Sequence, residues 1–165
     1  MDLRTKPGSI DKNIRQETNA AIAQSMPNLY TSNYSNQWEK GNASYSKTAM
    51  SFLKDFETDN FSQNELLAED AIEFHFMGVN DVFDKAKVIA KLKELRAPLK
   101  NFKIRLQTII SLKSVDSEED WVFAYGNMTD IKGNGALHDI NFFQQYSFDK
   151  AGKITQIKQY EVVRK

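Results

Sequence analysis

The sequence contains no cysteine and only two histidines, His75 and His138, among its 165 residues. The first absence excludes disulfides, thiolate metal sites and a cysteine nucleophile. The second leaves too few imidazoles for a histidine-rich metal centre; no metal and no cofactor are expected. Net charge is missing too: 22 basic and 22 acidic side chains cancel. A balanced chain lacks the bulk positive charge that sequence-independent nucleic-acid binding requires. It also lacks the polybasic tract that would hold it to an anionic membrane surface. No apolar run approaches the roughly 18–20 residues of a membrane-spanning helix. The opening Met1-Asp2-Leu3-Arg4-Thr5-Lys6-Pro7-Gly8 has no apolar stretch of the kind a secretory leader carries. Compartment is otherwise unmarked, because a cysteine-free chain suits reducing and oxidising surroundings alike. A cytoplasmic location is the default expectation, and export is expected only if a leader had already been removed.

What is present is ordinary for a globular chain: 41% hydrophobic and 27% charged residues, in a length that suits one domain with a real core. Residues 1–43 differ from the rest, being rich in Asn, Ser, Gln and Thr, and read as an N-terminal arm. One short helix is expected there from about Asp11 to Gln24, with a thin stripe of Ile10, Ile14, Ala21 and Ile22, ended at Met26-Pro27. Tyr30, Tyr34 and Trp38 then recur every four residues. They pack the arm on the body of the domain, face a ligand, or belong to a disordered stretch.

Residues 44–165 carry the clear periodicities. Ala49, Phe52, Leu53 and Phe56 follow i, i+3, i+4, i+7 spacing, which predicts an amphipathic helix over about Tyr45–Thr58. Ser62 followed three residues later by Glu65 has the form of a capping box and predicts a short second helix through Leu67. Ala71–Met77 reads as a strand, and Val82–Leu95 as a third helix that ends near Pro98. Period-two alternation then predicts a long strand over Phe102–Leu112. Three more strands follow, Trp121–Ile131, Leu137–Phe148 and Ile154–Val163, separated by the turns Gly133-Asn134-Gly135 and Asp149-Lys150-Ala151-Gly152. This order predicts an α+β fold, with helices laid on one face of a mostly antiparallel, curved sheet.

Several local phrases sharpen that expectation. Leu66-Leu67-Ala68-Glu69-Asp70-Ala71 enters the first strand, Gly78 closes it, and Tyr146-Ser147-Phe148-Asp149-Lys150-Ala151-Gly152-Lys153-Ile154 spans a hairpin. In this order and spacing they resemble the nuclear-transport-factor-2-like superfamily, also called SnoaL-like or ketosteroid-isomerase-like. The resemblance covers about Ser44 to Arg164. Trp38-Glu39-Lys40-Gly41-Asn42 before the first helix is similar to bacterial members. The resemblance implies a cone-shaped curved sheet with three helices packed on its concave side, enclosing a pocket. The superfamily includes isomerases, dehydratases, epoxide hydrolases and cyclases beside pure binding proteins, so the fold does not supply the reaction.

Laid over the ketosteroid-isomerase-like pattern, His75 falls where that enzyme has its aspartate base and Gln144 where it has its proton-donating acid. Phe52 falls near its first-helix tyrosine. Two positions thus carry different polar residues and one a bare ring, a departure from the isomerase constellation. A histidine can still accept or donate a proton near neutral pH, and Gln144 can offer an amide donor. Gln144 shares its alternation with Ile140, Phe142, Tyr146 and Phe148, an otherwise apolar face, so it must find hydrogen bonds or a ligand. His75 alternates with Phe74 and Phe76 and shares a face with Glu73, which is either a polar pocket lining or solvent-facing. His138 is expected to be exposed; its neighbour Asp139 points the other way along a strand and cannot partner it. The acidic run Asp116–Asp120 and the Lys85–Lys100 cations read as solvated surface.

Three functions remain open at this point. The first is a binding domain that encloses a small hydrophobic or carbonyl-containing ligand, with Phe52, Phe74, Trp121, Phe142 and Tyr146 as its lining. The second is a homodimer formed through the sheet face, with the pocket filled by its own side chains. The third is a lyase, isomerase or cyclase with His75 as general base and Gln144 as hydrogen-bond donor; whether the protein is an enzyme stays undecided.

Overall fold

The computed structural model describes residues 37–61 and 64–163, with backbone alone at Asn64 and Val163. The expected arm helix, Tyr30, Tyr34 and the proposed cap Ser62 lie outside the described residues.

Helix α1, Ala43–Thr58, forms where the apolar spacing predicts it and buries Ala49, Phe52, Leu53 and Phe56 along one stripe. Its first turn is capped by Asn42, whose side-chain oxygen accepts the Ser44 backbone N–H at 2.9 Å. It stops at Asp59, which takes a left-handed backbone conformation with φ 58°. The expected second helix is a single 3-10 turn, Asn64–Leu66. Helix α2 spans Lys85–Arg96 and is capped by Asp84, whose carboxylate accepts from Lys87 N–H at 2.8 Å. Among the described residues there are thus two α-helices rather than three.

The sequence expectation also ran helix into strand. Val82 belongs not to a helix but to strand β3, Val79–Phe83, which pairs back on β2, Ile72–Phe76. The two are joined at Met77 (φ 47°) and Gly78 (φ 85°). Positive φ at both central positions is what a two-residue hairpin turn requires. A short strand β1, Trp38–Lys40, precedes α1 and pairs with the long strand β4, Lys100–Ser114. The remaining strands are β5 (Asp120–Ile131), β6 (Leu137–Phe148) and β7 (Ile154–Val163).

Among the described residues these strands form one curved sheet in the order β1-β4-β5-β6-β7-β2-β3. Every pairing is antiparallel except β2 with β7, where Glu73, Phe74 and His75 lie beside Gln156, Ile157 and Lys158. Register shifts interrupt the β4–β5 ladder between Lys100 and Lys103 and between Leu106 and Thr108. Such bulges bend a strand and increase its local twist.

Register decides which side chains share a face. Phe74, Ile157, Tyr146 and Val122 align across β2, β7, β6 and β5, and all are fully buried. This inner face meets the helices: Phe52 and Phe56 pack edge-on against Phe76, and Phe56 also against Phe102. Phe74, Phe76, Phe142, Val88 and Leu92 complete the same core. The alternate residues, Glu73, His75, Lys158, Gln145, Phe143, Phe123 and Tyr125, belong to the outer face.

Candidate functional site

The inner face is aromatic with one polar seam. Gln144 is completely buried on β6, flanked along the strand by Phe142 and Tyr146. Its side-chain carbonyl accepts the Tyr146 hydroxyl, and its amide donates to the Gln159 side-chain oxygen on β7. Gln159 in turn donates to the Glu161 carboxylate. The four side chains form a continuous relay from a sealed phenol to an exposed carboxylate. Burial raises the Tyr146 hydroxyl well above the ordinary tyrosine range, so it stays protonated and remains a donor. Phe52 closes the seam from α1, its ring 6.0 Å from that of Tyr146.

Four of the expected lining residues, Phe52, Phe74, Phe142 and Tyr146, therefore meet on one face. Trp121 does not join them. It lies on the outer side, its ring parallel to Phe123 at 6.4 Å, because Val122 takes the inward position of that pair.

His75 and Gln144 are not brought together either. His75 is aligned with Lys158, and Lys158 with Gln145, so His75 faces outward where Gln144 faces inward. On that outer face the His75 Nε2 lies 3.9 Å from Glu73, and Glu73 lies 3.3 Å from the Lys158 ammonium. Burial alone would raise the Glu73 carboxyl. Hydrogen bonds from Lys158 and Gln156, with the Lys158 and His75 charges, bring it below the ordinary carboxylate range instead. His75, Asn80, Lys158 and Tyr160 line an open groove of about 440 Å³. Gln159, the hydrogen-bond partner of Gln144, lines the same groove, but His75 and Gln144 stand on opposite faces of the sheet and are not brought together.

The pairing that sequence reading missed is that of His138. It is not a free surface imidazole: its Nδ1 lies 2.9 Å from the Asp130 carboxylate. Asp130 and His138 are direct cross-strand partners of β5 and β6. Both point to the inner face, in line with Met128, Ile140 and Phe142. The signal that could have found the pair is hairpin arithmetic. Once Gly133-Asn134-Gly135 is taken as the turn, the residues placed symmetrically about it become opposite neighbours.

Among the described residues no group of three or more His, Asp or Glu side chains is placed to hold a metal ion. No helix among them is long and apolar enough to cross a membrane.

No protein-family model matches the sequence, and no curated protein does. Solved structures do match. A protein from Acidithiobacillus ferrooxidans assigned as a polyketide cyclase gives a TM-score of 0.58 at 16% identity, over 72% of this chain and 89% of its own. A nuclear-transport-factor-2-like protein of unknown function from Burkholderia pseudomallei gives 0.58 at 14% identity, over 72% and 91%. A Mycobacterium tuberculosis protein crystallised with estradiol-17beta-hemisuccinate gives 0.52 at 15% identity, over 69% and 90%. The chain has the nuclear-transport-factor-2-like fold.

Proposed function

We propose that this protein binds a small apolar or carbonyl-containing ligand against the inner face of its curved sheet, in a conical pocket closed by the helices. The observation that carries the reading is the buried Tyr146–Gln144 pair amid phenylalanine rings. Small-molecule sites combine mostly apolar walls with a few oriented polar groups. Tyr146 supplies a neutral hydroxyl and Gln144 an amide, both aimed into the aromatic interior. Gln159 and Glu161 continue the seam to the surface, giving a polar ligand end a route out. The rings of Phe52, Phe76 and Tyr146 already touch edge-on, so a bound ligand must part them. That the Mycobacterium tuberculosis neighbour of the same fold was crystallised with estradiol-17beta-hemisuccinate supports the choice of ligand class.

The test is a thermal-shift screen of hydrophobic ketones and esters on wild type, Gln144→Leu and Tyr146→Phe. Compounds that raise the wild-type melting temperature but not those of the variants would support the reading. It would be abandoned if no compound shifts wild type and Gln144→Leu is as stable as wild type, the behaviour of a filled core.

A second reading, a homodimer through the outer face, is favoured by a separate observation. Trp38, Phe123, Phe143 and Tyr160 form a ladder across β1, β5, β6 and β7, with ring centroids 6.1, 5.8 and 6.3 Å apart in turn. Tyr160 is 59% exposed and Phe143 40%. Contiguous exposed aromatics of this kind mark interaction surfaces.

A further inference from the structure

We infer that the outer face carries a separate polar site, across β4, β5 and β6, for a hydroxylated oxyanion such as a sugar phosphate or a sugar acid. It does not depend on ligands reaching the inner face.

The site is a groove of about 590 Å³. Lys103, Arg105 and Gln107 line it from β4, Asn127 and Thr129 from β5, and Asp139 from β6, with Ile104 as the one apolar member. Register sets these side chains in adjoining rows: Lys103 lies opposite Thr129 and Arg105 opposite Asn127, and Thr129 lies opposite Asp139 in turn. None of the aromatic ladder residues Trp38, Phe123, Phe143 and Tyr160 lines it.

Charge is the first argument for an anion. Lys103 and Arg105 are exposed and share one face of β4, so two cations point the same way. A carboxylate directly across the strands would stabilise each of them, yet both partners are neutral. Other surface cations do have such partners: Lys54 has Glu57, Lys91 has Glu94 and Lys158 has Glu73. Arg96 is fully engaged in another way, donating to the carbonyls of Phe56, Glu57 and Leu99. Among the described residues no carboxylate lies within ion-pair distance of Lys103 or Arg105, and Gln107 and Thr129 have no side-chain hydrogen bond. An oxyanion in the groove would take the Arg105 fork and the Lys103 point charge together.

The remainder of the lining sets the body of the ligand. A bare oxyanion would fill little of this volume, and the other walls are polar. Asn127 Nδ2 donates to the Asp139 carboxylate at 2.7 Å, which fixes both side chains and keeps the Asn127 carbonyl oxygen as an acceptor. Gln107 and Thr129 each offer a donor and an acceptor, the complement of a hydroxyl group. Gln107 owes its place to the β4 bulge, since the register passes from Leu106 to Thr108 without it. Gly126 admits that bulge by letting the Arg105 carbonyl close in where a Cβ would stand at 2.4 Å.

The test is isothermal titration of the full chain with glucose 6-phosphate and with glucuronate, beside glucose and inorganic phosphate. One or both sugar anions should bind more tightly than glucose or phosphate, and the tighter of the two identifies the head group. Arg105→Gln should weaken that binding about tenfold or more, with the melting temperature unchanged. Arg105→Lys should weaken it less, because the charge stays and the fork goes. Thr129→Val should also weaken it, with no change of charge. Lys87→Gln, which removes a cation from α2 on the β2–β3 side of the molecule, should leave it as in wild type.

No binding of either sugar anion, or phosphate binding as tight as theirs, would overturn the inference. So would equal losses in Arg105→Gln and Lys87→Gln, the behaviour of bulk charge alone. A ketone bound at the inner face should leave the titration unaltered; competition between the two ligands would place them in one site and overturn the separate groove.

Discussion

The hydroxyl of Tyr146 donates to the side chain of Gln144 two residues away on the same strand, and neither group reaches water. Strand alternation puts residues i and i+2 on one face, so the strand itself aims both groups inward and makes their pairing local. Gln144→Leu would strand the Tyr146 hydroxyl and remove the partner of Gln159, for a loss of about 1–3 kcal/mol. Tyr146→Phe should cost less. The double variant should be less destabilised than the sum of the singles, because the second change removes an already orphaned group. Urea denaturation of the four proteins completes the cycle, and strict additivity would mean that the pair is not coupled.

Gly126 is fixed by a close approach of backbone to backbone. A Cβ built there would stand 2.4 Å from the Arg105 carbonyl oxygen and 2.9 Å from the Phe142 ring. Neither strand can yield without breaking the β4–β5 ladder beside its bulge. Gly126→Ala should therefore destabilise by roughly 3 kcal/mol or more, against little effect for Gly133→Ala, whose Cβ would meet nothing within 4 Å. Comparable melting temperatures for the two would count against this account.

Acid should weaken the anchor between α1 and β4. Glu57 accepts from Lys54 Nζ at 2.6 Å and from the Ile104 backbone N–H at 3.3 Å. Burial opposes its charge, but these bonds and the Lys54 and Lys103 charges hold its carboxyl below its ordinary value of 4.5. A carboxyl lowered on folding stabilises the native state above its unfolded value, and that contribution is lost as pH falls through the folded value. The window thus lies below about pH 4.5. Wild type should lose more of its urea midpoint than Glu57→Gln between about pH 5 and about pH 3. Parallel acid limbs for the two proteins would contradict this.

The outer aromatic ladder predicts self-association. Light scattering should give twice the chain mass for wild type, and Phe143→Glu with Tyr160→Glu should give the monomer with an unchanged fold. A monomeric wild type at high concentration would end the dimer reading.

Much of this was legible in the sequence, and the misses have physical causes. The stripe of Phe52, Leu53 and Phe56 and the alternation through β4 to β7 are strong periodic signals, and those elements stand where they were expected. Val79–Phe83 was hidden because Val82 and Phe83 run directly into the helical spacing of α2. The helix expected after Ser62 rested on a capping pattern alone, without an apolar stripe to extend it beyond one 3-10 turn. Site assignment is harder still. A one-residue step exchanges faces, and that step separates outward His75 from the inward set of Gln144. The His138–Asp130 pair needed a register, not a motif, to become visible.

The parallel seam between β2 and β7 has a consequence for timing. It joins segments far apart in the chain, with Gln156 donating to Glu73 across 83 positions. Closing so long a span costs chain entropy before any contact repays it. Without β7 the β2–β3 hairpin would have an unpaired edge, of the kind that pairs with other chains. The last strand is thus the one whose pairing with β2 closes the longest span. Weakening Ile154 or Ile157 should slow folding and promote aggregation more than equal damage to the early helix stripe at Leu53.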